Sequence, residues 1–333
     1  MHKALRFLIV ALGGLVGLIA IAWAAGALYY DLPIAGLRLP LALVYGLAML
    51  TALFFTKGRW RAMGLVAAGF AVVLAWWFTI KPSNEGNWQP DVAQLAWAEI
   101  NGDEATLHNV RNNDYRTETN YTARWETRTV HMSQVTGVDL AINYWGSPWM
   151  AHPIASFQFA DTPPICFSIE TRKQLGQSYS AIGGLYRQFA LIYIVADERD
   201  VIRVRTNYRH GEDIYLYRTT MTPSQARERF HEYLRSLNQI RDHPRWYNAI
   251  TTNCTTSIRD QHPIAERMPW NWRLLLNGKA DELMFERHTI ATAGLSFPEL
   301  KARSLINARA KAADALSNFS ELIRVGLPES QTP

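Results

Sequence analysis

Cys254 lies in the run Tyr247-Asn248-Ala249-Ile250-Thr251-Thr252-Asn253-Cys254-Thr255-Thr256-Ser257-Ile258, behind an asparagine suited to cap a helix and ahead of small hydroxyl residues. The first turn of a helix presents N–H groups without intrahelical partners and roughly half a positive charge. A thiol placed there is favoured as thiolate, and the same N–H groups can receive a developing oxyanion. Cys254 therefore reads as a nucleophile, with Asn253 and Thr255 as support for the oxyanion. The competing reading is a buried, inert thiol, the commoner fate of a free cysteine.

A nucleophilic thiol needs a base, and a hairpin supplies one. His152-Pro153-Ile154-Ala155-Ser156-Phe157-Gln158-Phe159 and Pro164-Ile165-Cys166-Phe167-Ser168-Ile169-Glu170 alternate in polarity across the turn at 160–163. In an antiparallel pair, directly opposed residues share a face. Burying Ala155, Phe157 and Phe159 together with Ile165, Phe167 and Ile169 sets Phe157 opposite Ile165 and His152 opposite Glu170. A slip of one residue would put the two apolar sets on opposite faces. His152 is thus the expected base and Glu170 the carboxylate that orients it. A strand-end histidine and a Glu170–Arg172 ion pair remain the plain alternative. Such a base predicts a thiol that is largely ionised below its ordinary pKa of about 8.5 and that alkylates quickly near neutral pH.

The other histidines lie mostly among polar neighbours. His262 follows Cys254 by about two helical turns, so it points away from the thiol. Neither a Cys-x-x-Cys pair nor a His-Glu-x-x-His pattern is present, so no metal and no cofactor is expected. The net charge of +5 is mild and the basic residues are interspersed with acids. That pattern does not match a nucleic-acid-binding stripe.

These residues need elements to position them. Leu5 to Leu28, Leu39 to Phe55 and Met63 to Ile80 are apolar runs of membrane-spanning length, so residues 1–81 read as a transmembrane region. Lys3 and Arg6 precede the first run, and Lys57, Arg59 and Arg61 separate the second from the third. By the positive-inside rule the N-terminus is cytoplasmic and everything after Ile80 is outside the cytoplasm. Residues 82–90 read as a linker and 91–333 as one α+β domain. Strands are expected over 124–132, 138–145, 189–196 and 214–219 besides the hairpin. Thr222-Pro223-Ser224-Gln225 starts a helix, a second runs from Asn253 to Pro263, and Ser296-Phe297-Pro298-Glu299 starts a third reaching Leu316 and extending toward Arg324. Cys166 and Cys254 are read as two free thiols.

The order His152, Ser156-Phe157-x-Phe159, Ser168-Ile169-Glu170-x-Arg172, Asp197 to Asp200, Tyr247-Asn248 and Asn253-Cys254-Thr255-Thr256 resembles the periplasmic domain of the Lnb family over approximately Trp97 to Gly278. The resemblance implies a circularly permuted papain-like fold, similar to NlpC-type peptidases and lecithin–retinol acyltransferase, in which histidine precedes cysteine. It also implies acyl transfer: a thiol takes an acyl chain from a phospholipid and passes it to a lipoprotein amine. Lnb acyltransferases carry their spans after the soluble domain, whereas here they come before it.

The expectation is a periplasmic, inner-membrane-anchored thiol acyltransferase or lipid hydrolase. An envelope peptidase or amidase acting on a peptide is the first alternative, and a non-catalytic envelope binding protein the second. The aromatics of Trp145-Gly146-Ser147-Pro148-Trp149 and Met268-Pro269-Trp270-Asn271-Trp272 read first as core, and otherwise as an apolar lip for an acyl chain.

Overall fold

The computed structural model describes residues 2–261, 267 and 269–329, without the side chains of residues 2, 3 and 6. The side chains of Lys3 and Arg6, and the whole of His262, Pro263 and Met268, lie outside what is described. The chain divides into two compact units. One comprises Met1–Ser83 with Tyr179–Ala190 and Trp246–Ala249, the other Asn84–Ser178, Leu191–Arg245 and Ile250–Pro333.

In the first unit, α1 (His2–Asp31), α2 (Ala35–Phe55) and α3 (Arg59–Thr79) are long and apolar enough to cross a membrane. Small residues bring them together: Ala24 and Ala27 are fully buried, and a methyl at Gly17 would touch Leu53 and Met63. The helix α2 begins four residues before the apolar run expected at Leu39, so Arg38 is helical and donates to Leu32 O at 2.7 Å.

Residues 179–190 join this bundle, which no periodicity indicated. Tyr186 stacks on Tyr30 at 5.0 Å, and a Cβ at Gly26 would lie 2.0 Å from its hydroxyl, so only glycine admits the ring. Arg187 sits over Trp77 and donates to the Trp77 and Ile80 carbonyls at the end of α3, while Asp31 accepts from Trp77, Gln188 and the Arg187 backbone.

The second unit is built on β1 (Trp97–Asn101), β2 (Glu104–Arg111), β3 (Asp114–Tyr115), β4 (Tyr121–Thr122), β5 (Trp125–His131), β6 (Val135–Trp145), β7 (Ala151–Phe159), β8 (Ile165–Arg172), β9 (Ala190–Asp197) and β10 (Glu212–Arg218). Among the described residues, eight of these form one sheet in the order β1-β2-β9-β8-β7-β6-β10, with β5 on β2. The short helix α4 (Glu198–Val201) follows β9, and a π-helical turn, Val204–Tyr208, precedes β10.

Helix α5 (Pro223–Asp242) starts at Thr222 with a complete capping box, as the sequence predicts. Its Phe230 and Tyr233 pack edge-on against Phe157 and Phe167, which alternation turns to one face of the sheet. The opposite face buries Ile154, Cys166, Ile192, Ile194 and Leu216. Helix α6 (Cys254–Gln261) lies on the α5 side: Gln261 donates to Tyr193 Oη at 3.2 Å, and Tyr193 meets Tyr233 of α5.

The single C-terminal helix expected from Phe297 is instead α8 (Phe297–Ser304), α9 (Asn307–Ala312) and α10 (Phe319–Leu322), after α7 (Ala280–Glu286). The break has a local cause. Leu305 bridges to Tyr215, Ile306 N donates to Ile214 O, and Asn307 exchanges side-chain hydrogen bonds with Ile214 N and Glu212 O. Here pairing with β10 replaces helical hydrogen bonds. Helices α9 and α10 then close over the face that holds Ile154 and Cys166, while Leu300 of α8 packs with Ile142 and Tyr217.

Candidate active site

Asn253 caps α6. Its Oδ1 accepts the Thr256 N–H at 2.9 Å and its own N–H donates to Thr256 Oγ1 at 2.9 Å, a reciprocal pair that fixes the first turn. The backbone N–H groups of Cys254 and Thr255 are thereby turned toward the thiol. Sγ also lies 3.8 Å from Thr255 Oγ1 and accepts from Asn277 Nδ2 at 3.6 Å. Burial raises the pKa of Cys254, and the four donor contacts offset this only in part, so the thiol sits above its ordinary value. Cys166, fully buried in the core, is pushed up further by burial and by Glu198. Both cysteines are free.

The β7–β8 register runs from Ile154 opposite Ser168 to Phe157 opposite Ile165, the pairing that matched apolar faces require. Continued outward it sets His152 beside Glu170, and their side chains do share a face, with Nε2 and Oε1 4.0 Å apart. That is too long for a hydrogen bond. Ser168, which the sequence reading gave no role, fills the gap: its Oγ is 2.7 Å from His152 Nε2 and donates to Glu170 Oε1 at 2.7 Å. A hydroxyl has one proton, and here the carboxylate takes it, so Ser168 must accept from Nε2–H. His152 is therefore the Nε2-protonated tautomer, with the lone pair on Nδ1.

Arg205, carried by the π-helical turn, completes the chain by donating to Glu170 Oε1 at 2.8 Å and to Val201 O at 2.7 Å. Burial opposes ionisation of Glu170, but the Arg205 guanidinium, with His152 and Arg111 behind it, holds its carboxyl well below the usual carboxylate range. Burial pushes the His152 imidazole down to about 4 against the pull of Glu170. Thiol and imidazole are thus both neutral in this state. The thiolate expected from a neighbouring base is absent here because Cys254 is desolvated and its partners are Thr255 and Asn277 rather than His152. Alternation along β7 turns His152 with Ile154 and Ser156, while α6 lies on the side of Phe157. The link between the two groups is Asn277, whose Oδ1 accepts the Ala151 N–H at 2.9 Å next to His152.

Asn277 has no signature in the sequence, being one asparagine in Leu275-Leu276-Asn277-Gly278. Its neighbour Gly278 was the only local signal. A Cβ there would lie 2.4 Å from Pro148 O and 2.5 Å from Trp149 C, so the turn at Asn277–Lys279 meets the β6–β7 connection backbone to backbone. Around it, Trp149, Trp270 and Trp272 are 47%, 57% and 51% exposed, contrary to the core reading. Trp149 and Trp272 approach to 6.5 Å, and Lys279 lies over Trp149 at 5.4 Å.

The Asp197–Asp200 run carries no free acid. Asp197 pairs with Arg128, Glu198 with Arg324, Arg199 with the Asp314 and Leu316 carbonyls, and Asp200 with Arg111 and Asn113 N. These contacts tie α4, and through Val201 the guanidinium of Arg205, to four separate segments.

A model of the Lnb N-terminal periplasmic domain matches residues 121–278, just under half of the chain, including His152, Ser168, Glu170, Cys254 and Asn277. No curated protein and no solved structure matches the chain. Preceded by three helices of membrane-spanning length, this part of the chain is similar to the Lnb N-terminal periplasmic domain family.

Proposed function

We propose that the protein is a membrane-anchored acyl-transfer enzyme of the cell envelope, with Cys254 as nucleophile and His152 as base. The observation that carries the reading is the convergence of the Asn277 amide and the first-turn N–H groups on one thiol at the start of a capped helix. A structural cysteine has no need of them. The chain from Arg205 through Glu170 and Ser168 to His152 adds support, because it leaves Nδ1 as proton acceptor and stabilises the imidazolium once formed. In unliganded enzymes the catalytic hydrogen bonds are often long and tighten only with substrate. Sγ and Nδ1 do not meet in this state, so the proton has to pass between them through water or a substrate group at the end of β7.

In the reaction, Sγ attacks an ester carbonyl as its proton passes to Nδ1, and the electron pair of the C=O bond moves to oxygen. The N–H groups of Cys254 and Thr255 hold that oxyanion. Collapse expels the alcohol, which takes the proton back from His152, and leaves a thioester. An amine then accepts the acyl group, or water does in the hydrolytic variant. Phospholipid is the donor this reading favours and a lipoprotein amine the acceptor, the exposed tryptophans bordering the acyl chain. Histidine on a strand before cysteine on a helix also fits a permuted papain-like order.

Full-length protein purified with its native lipid is expected to carry an acyl adduct on Cys254, visible by intact-mass and peptide mass spectrometry and removed by neutral hydroxylamine. A Cys254 that stays unmodified with phospholipid supplied and amine withheld, together with no acylated product when the amine is added, sinks the reading. Inner-membrane placement with a cytoplasmic N-terminus rests on Lys57, Arg59 and Arg61. Alkaline phosphatase fused after Pro333 should then be active; an inactive fusion alongside an active cytoplasmic reporter reverses the orientation.

A further inference from the structure

We infer that Asn277 is a catalytic residue, the side-chain donor of an oxyanion hole completed by the backbone N–H groups of Cys254 and Thr255. This deepens the acyl-transfer reading and rests on it. Three observations carry the assignment. First, the amide orientation is fixed by chemistry: the Ala151 N–H at 2.9 Å needs an acceptor, so the carbonyl oxygen faces Ala151 and the NH2 group faces the thiol. Second, the sulfur uses only one of the two N–H bonds, and at 3.6 Å uses it weakly, leaving donor capacity beside the atom that attacks.

Third, the residue is held rather than free. The Gly278 N–H donates to Trp149 O at 3.1 Å, Tyr144 Oη donates to Gly278 O at 3.0 Å, and the absent side chain of Gly278 lets the two backbones touch. Tyr144 and Ala151 are directly paired at the end of the β6–β7 ladder, so the donor is mounted on the sheet. A donor pre-oriented in this way stabilises charge without reorganising as the charge appears.

In acylation the Sγ–C bond forms, the carbonyl electron pair moves onto oxygen, and that oxygen accepts from Asn277 Nδ2–H beside the Cys254 and Thr255 N–H groups. Alkylation by iodoacetamide differs: the S–C bond forms as iodide leaves and no oxyanion arises. The two reactions at one sulfur therefore separate a role toward the oxyanion from a role toward the thiol.

The test uses full-length protein in detergent micelles with p-nitrophenyl octanoate as acyl donor, following the burst of p-nitrophenolate and the thioester on Cys254. Alkylation is measured in parallel at pH values above the thiol's titration, where the rate no longer depends on the ionised fraction. Asn277→Asp keeps an acceptor for Ala151 and removes the donor; Asn277→Ala removes both. Both variants are expected to slow the burst by about 10²–10³-fold while plateau alkylation stays within about twofold of the unsubstituted protein. Equal losses in both reactions would make Asn277 a support for the thiol alone and overturn the assignment, as would an unchanged burst. If Asn277→Ala fails to fold, Asn277→Asp decides. A wild-type protein that gives neither burst nor thioester takes down the acyl-transfer reading itself, an outcome distinct from wild-type acylation that ignores Asn277.

Discussion

Cys254→Ser is expected to abolish acyl transfer, lowering its rate by on the order of 10⁴-fold or more, because a serine hydroxyl is a far weaker nucleophile than a thiol and burial disfavours its ionisation too. His152→Ala is expected to cost about 10²–10⁴-fold, the usual worth of a positioned base. The two together should lose little more than Cys254→Ser alone, since they act in one step. The acid side of the profile carries its own sign. His152 stays unprotonated down to about pH 4, because burial disfavours its cation. The rate at low substrate should therefore hold through pH 6.5, where an ordinary imidazole would titrate, and fall only near pH 4. A profile that halves near 6.5, or a His152→Ala variant as fast as the unsubstituted protein, would remove His152 from the mechanism.

Arg324→Met is expected to destabilise the sheet unit by about 3–5 kcal/mol, the cost of leaving buried charge without its partner. Arg324 donates to Asp139 Oδ2 at 2.7 Å and to both oxygens of Glu198, at 2.5 and 2.9 Å, with all three side chains largely out of solvent. Glu198 also receives Ser156 Oγ on β7, so the loss reaches the strand that carries His152. On the scale of about 2–4 °C per kcal/mol for a unit of this size, the midpoint should fall by roughly 10 °C.

The pH dependence of that loss follows from Glu198. Burial opposes its ionisation, but Arg324 lowers its folded pKa below the ordinary value, so the pair stabilises above the unfolded pKa of about 4.5 and less as pH falls through it. Without the cation, burial raises that folded pKa, and acid relieves the penalty. The difference between the two proteins should then shrink as pH is lowered from 7 toward 4.5. Thermal unfolding followed by circular dichroism reads both effects; equal midpoints at pH 7 would show that the cluster contributes no net stability.

The hairpin joins His152 to its carboxylate through one residue more than expected. His152 beside Glu170 follows from alternation within a hairpin of about 20 residues, and the register is as expected. Ser168 lies in the same hairpin and was legible in principle: it stands two residues before Glu170, so strand alternation puts both on one face. Direct opposition of carboxylate and histidine gives the hydroxyl no role in a strand-pairing argument. The strand geometry leaves 4.0 Å between them, and the hydroxyl fills it.

The sequence by itself determined what short-range physics encodes: three runs of spanning length, the alternation that sets β7 on β8, the Thr222 capping box, and a cysteine at the first turn of a helix behind its cap. Each is read from residues within about ten positions of one another, where periodicity and capping leave few choices. Only the tertiary structure decided which groups meet. Asn277 reaches Cys254 across 23 residues and Ala151 across 126; Arg205 reaches Glu170 across 35, and Arg324 reaches Glu198 across 126. Such pairs leave no periodic trace, because each partner is one polar residue whose local surroundings are satisfied equally well by solvent. What selects them is burial. Once the sheet closes and water is excluded, every remaining donor and charge must find its complement, and only the complete fold specifies which complement lies within reach.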